Sequence, residues 1–209
     1  ASDLWKSAYA LWVASRLGIP SVIHIRGPVA GRDIRKHGIG EATATVPISP
    51  GYARSLREAG ISAERVHGIE DAVDVGRFIP DHPERGAFRA EFGLTGEVAV
   101  GIVGRVEPFK RHLEFLDIVG RLDSQARAGA AFFIVGECAD ADYLRRVREK
   151  IDRLGLKERV VFTGRREEMP RVMAGLDVLA TLSGGSVMYE AMAAGKAVIS
   201  IRTEARPSS

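Results

Sequence analysis

Gly184-Gly185-Ser186-Val187-Met188-Tyr189-Glu190-Ala191-Met192-Ala193-Ala194-Gly195-Lys196-Ala197-Val198-Ile199 is the stretch on which the reading of the fold turns. It reads as a glycine turn, a short helix with a small-residue face, a glycine stop and a buried strand. A helix that starts from such a turn leaves its first backbone N–H groups unpaired. The aligned peptide dipoles add roughly +0.5 elementary charge there, which suits phosphate. Glu190 lies one turn in, where a carboxylate accepts hydrogen bonds from sugar hydroxyls. The same residues also read as an ordinary βαβ crossover with a surface glutamate, and this stretch alone leaves both open.

Working outward, apolar runs alternate with amphipathic stretches along the whole chain. Strands are expected over 21–26, 43–48, 66–69, 98–103, 131–135, 160–162, 178–180 and 197–201. Helices are expected over 50–59, 111–122, 142–154 and 169–175, and residues 8–18 read as the second part of a helix already under way. Ser49 supplies a hydroxyl N-cap before Pro50, and Gly60 closes that helix. This rhythm predicts an α/β chain with parallel sheet covered on both sides. The polar stretch 81–86 marks the expected boundary between domains 1–80 and 81–209.

In open parallel sheets ligands bind beyond the carboxyl ends of the strands. The loop Gly104-Arg105-Val106-Glu107-Pro108-Phe109-Lys110-Arg111 follows the first strand of the second half. Gly104 permits a tight turn. Arg105 and Lys110 are spaced to project from one loop toward a shared anion, a planar fork beside a point charge. A solvated basic loop is the plainer alternative. The Gly184–Glu190 turn could face the same cleft, so that two cations and a set of backbone donors surround a pyrophosphate.

Other candidates fall away. No Gly-x-Gly-x-x-Gly follows a strand, so a nicotinamide cofactor is unsupported. His24, His37, His67, His82 and His112 show no ligand spacing, so no metal is expected. His112 is expected to face solvent and Cys138, the only cysteine, to be a buried inert thiol. Gly136-Glu137 follows a strand and could contribute to the cleft wall, though it reads more readily as a plain turn, and Asp71 and Asp74 read as a turn pair. The 209 residues are 45% hydrophobic and 27% charged, with a net charge of +3. These proportions support a buried core, and the mild basic excess fits a small anionic ligand or loose contact with an acidic membrane surface. No dense basic stripe points to nucleic acid. A lone cysteine makes the cytoplasm the simplest compartment, with contact at the inner membrane face as a variant.

In order and spacing these motifs resemble the glycosyltransferase family 4 type, which has the two-domain GT-B architecture. Gly104-Arg105…Lys110-Arg111 is similar to its Gly-Arg…Lys-Arg/Gly motif, and Glu190-Ala191-Met192-Ala193-Ala194-Gly195-Lys196 to its Glu-Ala-Met-Ala-x-Gly-Lys/Arg segment. Val160-Val161-Phe162-Thr163-Gly164, Leu176-Asp177-Val178, Leu17-Gly18-Ile19-Pro20, Ile48-Ser49 and Ile69-Glu70-Asp71-Ala72-Val73-Asp74…Phe78 resemble further landmarks. The resemblance implies a Rossmann-like domain of GT-B type over 81–209, truncated at its end, preceded by a partial second Rossmann-like domain over 1–80 from the acceptor side. Both ends look cut, so the chain reads as an internal fragment that would be inactive alone.

The implied activity is transfer of a sugar, with retention, from a UDP- or GDP-linked donor to a glycan, lipid or small-molecule acceptor, without a metal. By the resemblance Arg105 and Lys110 are the catalytic cations on the donor diphosphate. Glu190 would hold the ribose hydroxyls, while Gly104, Gly184, Gly185, Ser186 and the amides of Val187 and Met188 would cradle phosphate and sugar. Two departures stand out. Leu182 occupies the position, eight before Glu190, of a second glutamate that contacts the donor sugar, and Glu70-Asp71-Ala72 replaces Pro-Asn-Gly at the junction. The first keeps open an alternative, a catalytically silent nucleotide-sugar-binding or interaction module.

Overall fold

The computed structural model describes residues 4–138 and 140–201. By packing, the chain divides into two lobes, one ending at Asp71 and the other beginning at Ala72. The first contains α1 (Leu4–Leu17), β1 (Val22–Ile25), α2 (Gly31–Lys36), β2 (Ala44–Pro47) and α3 (Pro50–Glu58). β1 and β2 run parallel, with Val22 opposite Ala44 and Ile25 opposite Pro47. Pro47 is tolerated at the ladder's end because only its carbonyl is needed, by the Ile69 N–H at 3.1 Å. The α3 start follows the sequence: Ser49 Oγ accepts from the Tyr52 N–H at 3.2 Å, and Gly60 leaves the helix at φ 91°. Ile23, Ile39 and Leu56 are fully buried in this lobe's core.

The stretch 66–69 was expected as a strand and forms instead a single bridge, Val66 to Thr45. Val66 alone of the four is buried, so the remaining residues have no apolar face to hold against the lobe.

The second lobe contains α4 (Arg85–Glu91), β3 (Val98–Val103), α5 (His112–Arg121), α6 (Ser124–Ala128), β4 (Ala130–Val135), α7 (Ala141–Arg153), β5 (Val160–Gly164), α8 (Met169–Gly175), β6 (Val178–Thr181), α9 (Val187–Ala193) and β7 (Ala197–Ser200). Its five strands are ordered β5-β4-β3-β6-β7, and every pairing is parallel. Side chains alternate between the sheet's faces. Phe132 and Ile134 pack with Leu116, Val147 and Ile151 of α5 and α7. Phe133 and Val135 pack with Phe88, Met173 and Leu176 around α4 and α8. β4 is therefore buried at every position, as expected of a central strand in a parallel sheet covered on both sides.

Two expectations need correction. The strand at 197–201 was read as buried; β7 is mostly exposed and only Val198 is half-buried. It is the last strand in the sheet among the described residues, and α9 packs beside only part of it. The polar stretch 81–86, read as the boundary, lies within the second lobe. Phe78, 8% exposed, joins the core cluster with Phe88 and draws the preceding residues in. The chain then enters α4, which that composition did not announce.

From β3 the chain moves outward to β4 and β5, then returns to β6 on the other side of β3. The loops after β3 and β6 thus open at the point where the strand order reverses. Asp177 anchors the amino end of β6. It accepts from Arg85 Nη2 at 2.7 Å, Arg89 Nη1 at 3.0 Å and the Ala99 N–H of β3 at 2.8 Å. Burial pushes its carboxyl up, but the amide and both guanidinium groups prevail and hold it below the ordinary carboxylate range. Among the described residues no helix is long and apolar enough to cross a membrane.

Asp177→Ala should destabilise the second lobe by about 2–3 kcal/mol, because two guanidinium groups and an amide lose one acceptor in a partly exposed setting. Urea denaturation of the variant checks the value, and a change under 0.5 kcal/mol, about the scatter of neutral surface changes, removes Asp177 as the anchor.

Candidate functional site

The β3 strand ends at Val103, and Gly104 follows at φ 141°, a conformation that side chains resist. Lys110 folds back across this glycine. A β-carbon on Gly104 would stand 2.8 Å from Lys110 Cε and 3.0 Å from Cδ. Between them the loop is pinned by Val106, 1% exposed, whose N–H donates to the Glu137 carbonyl at 2.8 Å. A 3-10 turn, Pro108–Lys110, then presents the lysine. Arg111 makes the exit in the left-handed region at φ 63°, the one non-glycine residue to do so among those described. Its Nε donates to Glu114 Oε1 at 3.0 Å.

Across the switch point lies the turn after β6. Thr181 Oγ1 donates to the Gly184 carbonyl at 3.2 Å, and Gly184 and Gly185 adopt φ 68° and 113°. A β-carbon on Gly185 would stand 4.0 Å from Lys110 Nζ. The two loops therefore meet, and Lys110 is the group that joins them. Lys110 Nζ has no carboxylate partner among the described residues; its one aromatic contact is the Phe109 ring, 5.8 Å from the centroid.

The amides of this turn differ from the expectation at one position. Ser186 is already helical in φ and ψ and gives no side-chain cap. The Met188 N–H consequently donates to the Gly185 carbonyl at 3.2 Å and is spent inside the turn. The N–H groups of Gly184, Gly185, Ser186 and Val187 have no protein acceptor among the described residues. Glu190 is half-buried one turn on; burial raises its carboxyl and Arg77 opposes the rise. No described group hydrogen-bonds it.

Arg105 does not join Lys110. Its Nη2 pairs with Glu107 Oε1 at 3.1 Å and the side chain is 61% exposed. The cause is strand order. Directly after Gly104 the chain is tied to the β4 side through Val106, whereas Lys110 returns over Gly104 toward β6. Arg105 instead borders a cavity of about 180 Å³ at the ends of β3, β4 and β5, floored by Val103, Val135 and Met169 and rimmed by Glu137, Arg165 and Arg166. Arg166 is held there by Glu91, which also pairs with Arg171 Nη2 at 2.8 Å.

Gly136, which the sequence offered as part of the cleft wall but favoured as a plain turn, shapes this wall. Gly136 sits at φ 149°, and a β-carbon on it would collide with the Gly104 carbonyl. The Gly136 N–H donates to the Gly164 carbonyl at 2.9 Å, as the Gly104 N–H does to Val135 at 2.9 Å. The signal was available: Val103-Gly104, Val135-Gly136 and Thr163-Gly164 place a glycine at or just beyond the end of each strand.

Two other expectations are overturned. Cys138 is exposed, because it lies in the loop beyond β4, where its Sγ donates to the Asp140 carbonyl at 3.3 Å. His112, expected in solvent, is fully buried at the start of α5, with its ring edge-on to Tyr143 at 6.1 Å. Neither ring nitrogen has a partner in hydrogen-bonding geometry. Burial pushes the imidazole down to about 4, against the pull of the Glu107 carbonyl. Leu182, at the position of the absent glutamate, is 2% exposed and belongs to the core beneath α5 and α7. Among the described residues no group of three or more His, Cys, Asp or Glu is placed to hold a metal ion.

Residues 97–208 match the family described as "Glycosyl transferases group 1". The 2-deoxystreptamine N-acetyl-D-glucosaminyltransferase of Streptomyces fradiae is 38% identical over 125 residues, 56% of this chain and 29% of that protein. The mannosylfructose-phosphate synthase of Agrobacterium fabrum is 27% identical over 165 residues, 73% of this chain and 35% of that one. The chain thus spans about a third of the length of these curated relatives. Among solved structures, Anabaena Alr3699/HepE in complex with UDP-glucose superimposes with a TM-score of 0.82 at 22% identity, over 95% of this chain and 57% of that one. WaaG, a glycosyltransferase involved in lipopolysaccharide biosynthesis, gives 0.73 at 17% identity, over 92% and 63%. These likenesses show the fold: two Rossmann-like, parallel-sheet lobes of GT-B type, the amino-terminal one smaller.

Gly136→Ala should displace the Gly104–Arg105 backbone, since the added methyl has only main chain to push against. A loss of about 2–4 kcal/mol in stability is expected from overpacking and a strained φ, read by thermal unfolding, with amide shifts in loop 104–111 as the local signature. For His112, an NMR titration should give a midpoint near 4. Its native value lies below the ordinary one, so the unfolded chain takes up the proton first. Stability should fall as pH drops from about 6.5 toward the native midpoint near 4, level off below that midpoint, and be unaffected by this group above about 6.5. A midpoint near 6.5 would show an imidazole open to water.

Proposed function

Because the chain belongs to the glycosyl transferases group 1 family, we propose that its second lobe binds a nucleotide diphosphate sugar. The full-length protein would then transfer that sugar to an acceptor. One observation carries the reading: an ammonium without a carboxylate partner, Lys110 Nζ, meets the Gly185 turn at the switch point between β3 and β6. A diphosphate seated there receives the ammonium on one side and the amides of Gly185, Ser186 and Val187 on the other. Negative charge grows on the leaving diphosphate as the glycosidic bond breaks. Donors already aimed at that position lower the barrier without reorganising. The positive charge comes from the protein itself.

Glu190 is assigned to the ribose. A half-buried carboxyl whose pKa burial raises gains from two vicinal hydroxyls, whose hydrogen bonds would oppose that rise. The cavity beside Arg105, on the other flank of Gly104, takes the base between apolar walls. Arg105 borders that region and acts on the nucleotide once freed from Glu107. Uridine is the first base to test, since the Anabaena structure holds UDP-glucose. Retention of configuration and a glycan, lipid or small-molecule acceptor complete the reading, on the strength of the motif resemblance.

Leu182 favours a second reading. A core leucine stands where the resemblance puts a sugar-contacting carboxylate, as in a module that binds nucleotide sugar without turnover. Nucleotide release that depends on acceptor, measured on the full-length protein, excludes it.

Calorimetry of the full-length protein with UDP, GDP and their sugar conjugates tests the binding. One nucleotide should bind, and Lys110→Ala should weaken it by about 1.5–3 kcal/mol, the usual loss for a charge-assisted contact. The reading fails if no nucleotide binds, and Lys110 leaves the site if its variant binds as tightly as the parent.

A further inference from the structure

Phe109 is 69% exposed in a loop that is otherwise firmly held. On one side Val106 is buried and tied to the Glu137 carbonyl; on the other His112 is fully buried at the start of α5. Pro108 opens the 3-10 turn that carries the ring, and Arg111 closes it in a left-handed conformation. The chain could satisfy this turn with any polar residue, yet it holds out an aromatic ring toward water. An isolated exposed apolar residue is ordinary on a protein surface. This one differs in its neighbour: Lys110 Nζ stands 5.8 Å from its centroid, and the same ammonium lies against the Gly185 turn. The ring is therefore an exposed plate on a held turn, within one side-chain length of the place assigned to the diphosphate.

We propose that Phe109 is a sugar-binding residue: its ring forms a stacking platform for the pyranose joined to the diphosphate held by Lys110 and the Gly185 turn. The inference rests on the donor reading above and extends it to the sugar. The chemistry is complementary. The π-face of phenylalanine is negative and its edge positive, and the axial C–H bonds on one face of a hexopyranose carry partial positive charge. The ammonium occupies part of the aromatic surface and leaves the rest to the sugar. A hydrocarbon platform also supplies contact where Leu182 offers no carboxylate, being in the core. Because the ring touches no core cluster, its replacement leaves the fold alone.

The test compares each nucleotide with its own sugar conjugate on the full-length protein: UDP against UDP-glucose and UDP-N-acetylglucosamine, and GDP against GDP-mannose. Calorimetry is run for the parent, Phe109→Ala, Phe109→Leu and Phe109→Trp. The nucleotide alone should bind all four proteins within twofold. The best-bound conjugate should weaken about fivefold to tenfold in Phe109→Ala and Phe109→Leu and recover in Phe109→Trp. Sugar-ring protons of the bound conjugate should shift upfield in the parent and Phe109→Trp, and not in Phe109→Leu. Parallel weakening of nucleotide and conjugate would show that the ring acts by steadying Lys110, and overturns the proposal. So does an unchanged conjugate affinity in Phe109→Ala. If the parent binds nucleotide and no conjugate more tightly than nucleotide, the platform is wrong and the nucleotide site stands; if it binds no nucleotide, both fall.

Discussion

The parallel pairing of β3 with β6 is the constraint from which the rest of the second lobe follows. These strands lie far apart in sequence and share only three paired positions, Val100–Val178, Gly101–Leu179 and Ile102–Ala180. Asp177 reinforces the pairing at the amino end by gathering the Ala99 N–H and two guanidinium groups of α4. At the carboxyl end the same pairing leaves the loop with Lys110 and the loop with Gly185 side by side. Had β6 paired beyond β5, the two loops would stand several strand spacings of about 4.8 Å apart, and no one anion could reach both.

Close approach of backbone does the remaining shaping. Gly104 makes room for the stem of Lys110, and Gly136 makes room for the carbonyl of Gly104. Gly101 follows the same logic deeper in the sheet, where a β-carbon would stand 2.5 Å from Leu176 Cδ1. In each case the missing side chain lets another group occupy its volume. The lysine is thereby laid along a fixed path, so less side-chain entropy remains to be lost when its ammonium meets an anion.

Charge is distributed with the same economy. The Arg105, Arg111, Arg166 and Arg171 side chains all have carboxylate partners. Lys110 has none among the described residues, and the amides beside it have no protein acceptor. An unpaired cation beside the unpaired amides of exposed Gly185 and Ser186 is an arrangement an anion can occupy by displacing water, the premise of the proposed diphosphate site. Buried His112 behind the loop stays neutral near pH 7 and so adds no further positive charge next to Lys110.

Much of this was legible in the residues themselves. Alternating apolar runs announced the strands of the second lobe, and the Ser49-Pro50 start and Gly60 stop of α3 are local enough to read directly. The glycine turn before α9 and the basic loop after β3 were likewise visible, because turn chemistry and charge depend on near neighbours. What depends on distant packing was not. His112 and Cys138 exchanged their expected environments, since burial is set by what α5 and the β4 loop meet in space. β7 was read as buried from its composition, although burial of its faces depends on what packs against them, and among the described residues only Val198 is half-buried. Arg105 and Lys110 sit in one loop, and their parting follows from β3 lying between β4 and β6. The sequence by itself determined the strand–helix alternation, the glycine turn and the basic loop, through local periodicity, backbone freedom and charge. Only the tertiary structure decided which cation reaches the glycine turn, because strand order is a property of non-local pairing.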